Sequence, residues 1–530
     1  LEAVGALDVP DNLGTPGQPN SRRLANAGPA IWEVQHAPVL PAAAQPVTVS
    51  ARVHDPDGVA SVVLKWRNDT SAGPVTTTPM TDSDGDGVYR ATFAGLLTGQ
   101  IASFSIEAAD AATPPATNRF PGPAPTGMPA FECLVRFGDT LPRGVFGAYR
   151  VWVSSGNVAR WQARPTRSNE PVDATFTYDS YRTVYNAAVR YRGNWREGGF
   201  EDYRLAAYML DFPKAERVLG DTEIALDFIS LNYDNATKQQ EKHAYWIARQ
   251  VDLASIAMRY VHASVNGSAL FRYDSFSPSR SLCSRWYGDD DPHVYEQLYP
   301  HEPFANYTTT GGVKKQAKYR YCMRKKVTTV PDDDFSPLYR VVDALRAPTD
   351  DLYVARVSAL ADIRSWAGYW VINRMCGNGD HYNSAGYPHN MYTYIPPYGR
   401  SRLHVNDTDG AFQTAYSIFP DSGFLPGTMF AKPELRRVYW RLACDVARGP
   451  MDPAISATRL NQWYQAFRDN GIAANSPSEM SAWITARRSS YLQSLAPMTN
   501  LAFKVSTPNI TTTTTPITVT GEAPIAVTAI

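Results

Sequence analysis

Residues 376–412 hold the densest concentration of side chains able to do chemistry. Cys376-Gly377-Asn378-Gly379-Asp380-His381-Tyr382-Asn383 leads to His389-Asn390-Met391-Tyr392 and then to Val405-Asn406-Asp407-Thr408-Asp409-Gly410. A carboxylate after an apolar helix, an amide on a loop and paired aspartates between two β-prone runs together suit phosphoryl transfer to a hydroxyl. One carboxylate would orient the hydroxyl, while a second, with an amide oxygen, would hold Mg²⁺ against the phosphates. Aspartate and asparagine beside glycine are also ordinary turn chemistry, so the cluster by itself leaves both readings open.

The elements that must position this cluster are visible as periodicities. Residues 241–251 place Ala244, Ile247, Ala248 and Val251 at helical spacing, and 354–376 do so with Val357, Leu360, Ala361, Ile363, Trp366, Ala367, Trp370 and Val371. The second pattern predicts a helix whose tryptophans form core rather than a ligand box. Later residues to about 494 continue in helical mode, with Trp440, Trp463 and Trp483 expected as core anchors. Strand-like runs at 186–191 and 203–210 precede these helices, so 145–500 reads as a two-lobed α+β domain with a helical extension at 425–498.

Period-two alternation begins near Pro46. Val47, Val49, Ala51 and Val53 face one way, the turn Asp55-Pro56-Asp57-Gly58 follows, and then Val62-Val63-Leu64-Lys65-Trp66. Further strands are expected at 87–93 and 101–108. Short strands with Gly, Pro and Asp turns predict a β-sandwich over 33–138, and this stretch resembles a bacterial immunoglobulin-like domain. The first 32 residues are rich in turn-formers and read as a linker. The run Thr511–Thr515 with Ile517 and Val519 makes 501–530 the start of a further β-module.

Composition narrows the function classes. The 530 residues carry 51 basic and 51 acidic side chains, so there is no broad positive field for nucleic acid or anionic membrane. No apolar run is long enough for a membrane span, and no leader pattern opens the sequence. The five cysteines lie far apart. Cys283 and Cys322 would pair in an oxidising compartment; the alternative is five buried thiols. No Walker loop, G-x-S-x-G elbow or H-E-x-x-H is present.

A second set of blocks lies upstream of the aspartates: Val189-Arg190-Tyr191-Arg192-Gly193-Asn194-Trp195, Tyr203-Arg204-Leu205, Glu241-Lys242-His243-Ala244-Tyr245, and Tyr260-Val261 through Asn266-Gly267 to Ala269-Leu270-Phe271. In this order, and with the aspartate cluster behind them, they resemble the CotH family of spore-coat-protein-H-like atypical kinases over about 185–415. The resemblance implies a two-lobed protein-kinase-like fold behind the immunoglobulin-like sandwich, with ATP and Mg²⁺ or Mn²⁺ as cofactors. It gives Asp380 the place of the catalytic aspartate. Asp407, its neighbour Asp409 and Asn390 would hold the metal. Arg204 would grip phosphate, and Glu241 would pair with the basic residue of the nucleotide strand. Two departures are plain. Nine residues separate Asp380 from Asn390 where the family usually leaves about four, which makes Asn383 the alternative amide; and Arg204 stands where lysines are usual.

Residues 1–32, with Gly14-Thr15-Pro16-Gly17-Gln18-Pro19-Asn20-Ser21, also resemble the end of a lamin-tail-type β-domain, a module often found upstream of CotH domains, so the sequence is expected to be part of a longer secreted or cell-surface protein. The expected activity is transfer of the ATP γ-phosphoryl group to Ser or Thr of a surface or coat protein, with no nucleic-acid partner. The alternative is an adhesion or binding protein with a degenerate kinase-like domain. Three signals rank lower. Asp82-Ser83-Asp84-Gly85-Asp86-Gly87 starts like a calcium loop but has Phe93 where a glutamate is needed, so a hairpin turn or a weak calcium site is expected. His381 and His389 lack a third transition-metal ligand. The runs at 289–291 and 332–334 read as solvated loops.

Overall fold

The computed structural model describes residues 24, 26–163, 170–192, 207–228, 237–275, 280–289, 292–297, 301–326, 334–382, 390–419, 424–513 and 515–527. The chain divides into two compact units, Leu1–Phe228 with Arg259–Ser275, and Ile229–Met258 with Phe276–Ile530.

The first unit is β-rich. Its leading strands are β1 (Ala30–Ala37), β2 (Val47–His54), β3 (Val59–Asn68), β4 (Thr76–Pro79), β5 (Val88–Phe93), β6 (Ile101–Asp110), β7 (Thr117–Phe120) and β8 (Cys133–Arg136). They form two antiparallel sheets, β1-β2-β5 and β4-β3-β6-β7, with β8 also on β6. Strand β2 shows why they meet: Val47, Val49, Ala51 and Val53 are buried and the residues between are not, as a one-sided strand requires. Those four share a core with Val62 and Leu64 of β3 and Phe104, Ile106 and Ala108 of β6.

Behind them come β9 (Gly147–Trp152), α1 (Ser155–Ala163), β10 (Val172–Tyr178), β11 (Arg182–Tyr191), β12 (Tyr208–Asp211), β13 (Glu223–Phe228), β14 (Met258–Val265) and β15 (Ser268–Ser275). The strands close into a barrel in the order β10-β11-β12-β13-β15-β14-β9. Its closing pair, β14 on β9, is parallel. The alternation at 186–191 predicted β11, but closure depends on register around the ring, which alternation within one strand does not encode. Within the same unit Thr175 of β10 accepts from the Leu134 amide at 2.9 Å, and Asp173 accepts from the Glu132 amide at 3.1 Å.

The second unit is mostly helical. It contains α2 (Gln240–Gln250), α3 (Arg280–Tyr287), β16 (Val294–Gln297), α4 (Gln316–Cys322), β17 (Met323–Lys325), α5 (Ser336–Ala344), α6 (Asp350–Leu360), α7 (Ile363–Met375), β18 (Met391–Tyr394) and β19 (Arg402–Val405). Then follow α8 (Phe424–Met429), α9 (Pro433–Arg448), α10 (Pro453–Asp469), α11 (Ser478–Thr499) and the short ladder of β20 (Lys504–Val505) with β21 (Gly521–Glu522). One small sheet, β17-β16-β18-β19, lies among the helices.

The helical pattern over 354–376 is two helices rather than one. The chain breaks at Ala361-Asp362, where Ala361 bridges Ser401 and the Asp362 side chain accepts from the Ser365 amide at 3.0 Å as the cap of α7. From Trp366 to Met375 every residue of α7 is buried, so it is wrapped on all sides. Trp440, Trp463 and Trp483 differ from expectation: they are half-buried, each with an arginine over its ring, Arg436, Arg459 and Arg487 respectively. All five cysteines are buried and free, so Cys283 and Cys322 are not joined. Among the described residues no helix is long and apolar enough to cross a membrane.

Candidate functional site

The site grows from the C-terminus of α7. Gly377 takes φ +65° and turns the chain back, with its amide on the Arg374 carbonyl and the Asn378 amide on the Asn373 carbonyl at 2.8 Å. A Cβ at Gly377 would lie 2.3 Å from the Thr414 carbonyl oxygen, so only glycine fits there.

Asn378, fully buried, is the hub. Its Nδ2 donates to Asn373 Oδ1 at 2.8 Å and to the Asp407 carbonyl at 3.1 Å, while its Oδ1 accepts from the Asp380 amide at 3.2 Å. One amide therefore fixes the backbone of Asp380 to that of Asp407. Gly410 keeps the space this needs, since a Cβ there would sit 3.0 Å from Asn378 Oδ1.

Asp380 is exposed, and Asn390 comes to it. Asn390 Nδ2 donates to the Asp380 carbonyl at 2.9 Å and to its Oδ2 at 3.1 Å. With Nδ2 so used, Asn390 Oδ1 is the atom left to accept. The Asn390 carbonyl takes the Tyr369 hydroxyl at 2.9 Å, and that hydroxyl accepts from the Tyr382 amide at 2.9 Å. Burial pushes the Tyr369 pKa up, and the carboxylates of Asp380 and Asp407 push it further. Tyr369 stays a neutral donor within the field of both acids.

Asp407 follows β19 and is half-buried. Its amide donates to the Tyr245 hydroxyl at 2.9 Å, which in turn donates to Glu241 Oε1 at 3.0 Å. Glu241 and Tyr245 stand four residues apart on α2, one turn along the same face. Burial raises the Tyr245 pKa first, with Glu241 and Asp407 adding to it, so this hydroxyl also keeps its proton. The turn is secured again by Thr408 Oγ1 on the Glu241 carbonyl at 3.3 Å, and by Phe412, whose ring lies 5.6 Å from that of the buried His243.

Asp407 and Asn390 both have left-handed backbone, φ +54° and +53°. Non-glycine residues hold that conformation at a cost, and such residues gather at functional sites.

Asp380, Asp407, Asn390 and Glu241 are thus brought into one bonded network. Asp409 lies half-buried in the same turn; among the described residues it does not form a three-carboxylate group with Asp380 and Asp407. Arg204, Asn383 and His389 lie outside the described residues. His381 is buried with Nδ1 2.8 Å from the Asn378 carbonyl, a packing role. Three positioning residues were not singled out from sequence: Asn378, Tyr369 and Tyr245. Only Tyr245 had a local signal, its i,i+4 spacing from Glu241.

The donor set suits a hard cation. Asp407 offers a carboxylate and Asn390 an amide oxygen, the ligand types Mg²⁺ takes alongside water and phosphate. Residues 189–429, which include every member of this network, match the family model described as CotH kinase protein. No curated protein matches the chain.

Proposed function

From the premise that residues 189–429 belong to the CotH family, we propose that the protein is a secreted or cell-surface atypical kinase. It transfers the ATP γ-phosphoryl group to Ser or Thr hydroxyls of a surface or coat protein. In this reading the barrel and the helical unit supply the two lobes, and the leading sandwich is an immunoglobulin-like module. The observation that carries the reading is the Asn378 hub, which holds Asp380 and Asp407 in fixed register while leaving Asp380 exposed to an acceptor.

The roles we propose come from the family resemblance, and the bonded network supports them. Asp380, steadied by Asn390, accepts or orients the proton of the attacking hydroxyl. Asp407 and Asn390, with Asp409 beside them, would hold Mg²⁺ or Mn²⁺, which when bound supplies charge neutralisation at the phosphates. Glu241, bonded to Tyr245, stiffens the Asp407 turn from α2, and by the family resemblance it would pair with the basic residue of the nucleotide strand. Arg204 is our candidate for that residue, since a guanidinium can grip phosphate bidentately.

The test is incubation of purified protein with labelled ATP and Mg²⁺ or Mn²⁺, beside Asp407→Ala. The expected result is label on the protein itself or on a casein-like acceptor, lost in the variant. If no label transfers and calorimetry shows no Mg²⁺-dependent ATP heat, the protein is instead a non-catalytic adhesion module.

A further inference from the structure

The turn between β2 and β3 contains Asp55-Pro56-Asp57-Gly58, and β6 ends on Asp110. Val59 is the Cα partner of Asp110, and the Ala111 amide donates to the Gly58 carbonyl at 3.0 Å, so turn and strand end lie side by side at one end of the sheet. One carboxylate oxygen from each of Asp55, Asp57 and Asp110 falls within 4.8 Å of the other two. Asp110 is 0% exposed and Asp55 8%, while Asp57 faces solvent.

The hydrogen bonds at this cluster leave one buried oxygen over. Asp55 Oδ1 accepts from the Asp57 amide at 2.8 Å, and Asp110 Oδ1 accepts from the amides of Ala112 at 3.1 Å and Ala116 at 3.0 Å. Asp110 Oδ2 is buried and has no hydrogen-bond partner. Among the described residues no Lys, Arg or His forms an ion pair with any of the three carboxylates. Buried acids are normally paired, hydrogen-bonded or metal-bound. Three acids gathered without a cation, one with an open buried oxygen, call for an ion.

We propose that Asp55, Asp57 and Asp110 form a Ca²⁺ site that clamps the β2–β3 turn to the end of β6. The donors are all oxygen, which disfavours zinc and other transition metals. Three protein carboxylates with one open to solvent suit the large, adaptable shell of Ca²⁺; Mg²⁺ keeps most of its water and takes one or two carboxylates. The neighbouring triad Asp82, Asp84 and Asp86 lacks this character. Both oxygens of Asp82 accept backbone amides, and Arg90 bridges Asp84 and Asp86.

The test is equilibrium dialysis of the chelator-treated full chain against ⁴⁵Ca²⁺, with wild type, Asp57→Asn, Asp110→Asn, Asp82→Asn and Asp407→Ala. Wild type should bind with a dissociation constant on the order of 10⁻⁴–10⁻³ M, the range of extracellular modules. Asp57→Asn, altering an exposed side chain, should weaken that binding at least about tenfold, since one of three charged ligands is removed. Asp110→Asn should abolish it, while Asp82→Asn and Asp407→Ala should retain it. An unchanged isotherm for Asp57→Asn overturns the proposal even if Asp110→Asn fails to fold, and so does displacement of Ca²⁺ by an equal concentration of Mg²⁺. Retention in Asp407→Ala keeps the outcome independent of the kinase reading.

Discussion

The molecule gathers aspartates in two places, and the two are built in opposite ways. At Asp55, Asp57 and Asp110 the carboxylates crowd within 4.8 Å with few donors, so the charge itself is left to be neutralised by something bound. Around Asp380 and Asp407 the crowding is of amides and hydroxyls: Asn378, Asn390, Tyr245 and Tyr369 hold backbone and side chain by bonds of 2.8–3.2 Å. The first arrangement suits an ion kept for structure. The second suits carboxylates with separate tasks, because a shared ion would bind both to one role. Proximity of acids is therefore a poor marker of a reaction site; the scaffold that separates them is the better one.

The sharpest way to break this contrast is to remove charge without shape. Asp380→Asn should lower phosphoryl transfer by roughly 10²–10⁴-fold with thermal stability unchanged, since a positioned acid–base group contributes that much. A loss below about tenfold would leave Asp380 a turn residue.

Two buried groups, His243 in the helical unit and Asp173 in the β unit, should also answer pH with opposite signs. Burial holds His243 of the helical unit down to about 3 from 6.5, so the unfolded chain takes the proton first. Its contribution is complete above 6.5 and is lost as pH falls toward 3. Asp173 of the β unit is raised by burial from 3.8 to about 7, so the native state keeps a proton that the unfolded chain releases. Its contribution is present below 3.8 and is lost as pH rises through about 7. Asp173→Asn should thus stabilise the protein above neutral pH by a few kcal/mol, at about 1.4 kcal/mol for each pH unit separating the two values. Urea midpoints across the pH range read this directly, and equal midpoints for variant and wild type at high pH would show Asp173 to be solvated. In an NMR titration His243 should show no midpoint near 6.5.

A smaller effect is expected from Asn378→Ala. It leaves the buried Asn373 Oδ1 and the Asp380 amide without their partner, costing about 1–3 kcal/mol of stability by denaturant unfolding. Phosphoryl transfer should fall with it, because Asp380 loses its register with Asp407. Tyr245→Phe should cost least, about 1 kcal/mol, and should lower turnover more than acceptor affinity. Unchanged kinetics would confine Tyr245 to packing.

Much of the β region was legible in the sequence, because a strand buried on one face declares itself by alternation: Val47, Val49, Ala51 and Val53 point where the pattern said. Helix α2 was equally plain. The break at Ala361-Asp362 was not, since the apolar spacing runs on through it and the Asp362–Ser365 cap is a weaker signal than the periodicity around it. Half-burial of Trp440, Trp463 and Trp483 also escaped, although Arg436, Arg459 and Arg487 each stand four residues from the ring they cover on the same helix, because that spacing does not say which face of the helix meets solvent.

Local covalent geometry and burial periodicity are written in neighbouring residues, so the sequence alone placed Asp380 beyond an apolar helix and Asp407 beyond a β-run, and the family resemblance supplied the roles proposed for them. Tertiary structure alone decided that Asn390 reaches Asp380 across nine intervening residues, that Asn378 joins Asp380 to Asp407, and that Asp110 comes beside Asp55 and Asp57. Such meetings depend on register and chain closure between distant segments. A pattern of period two or 3.6 is blind to them, because it records which face of an element is buried and not which other element lies against it.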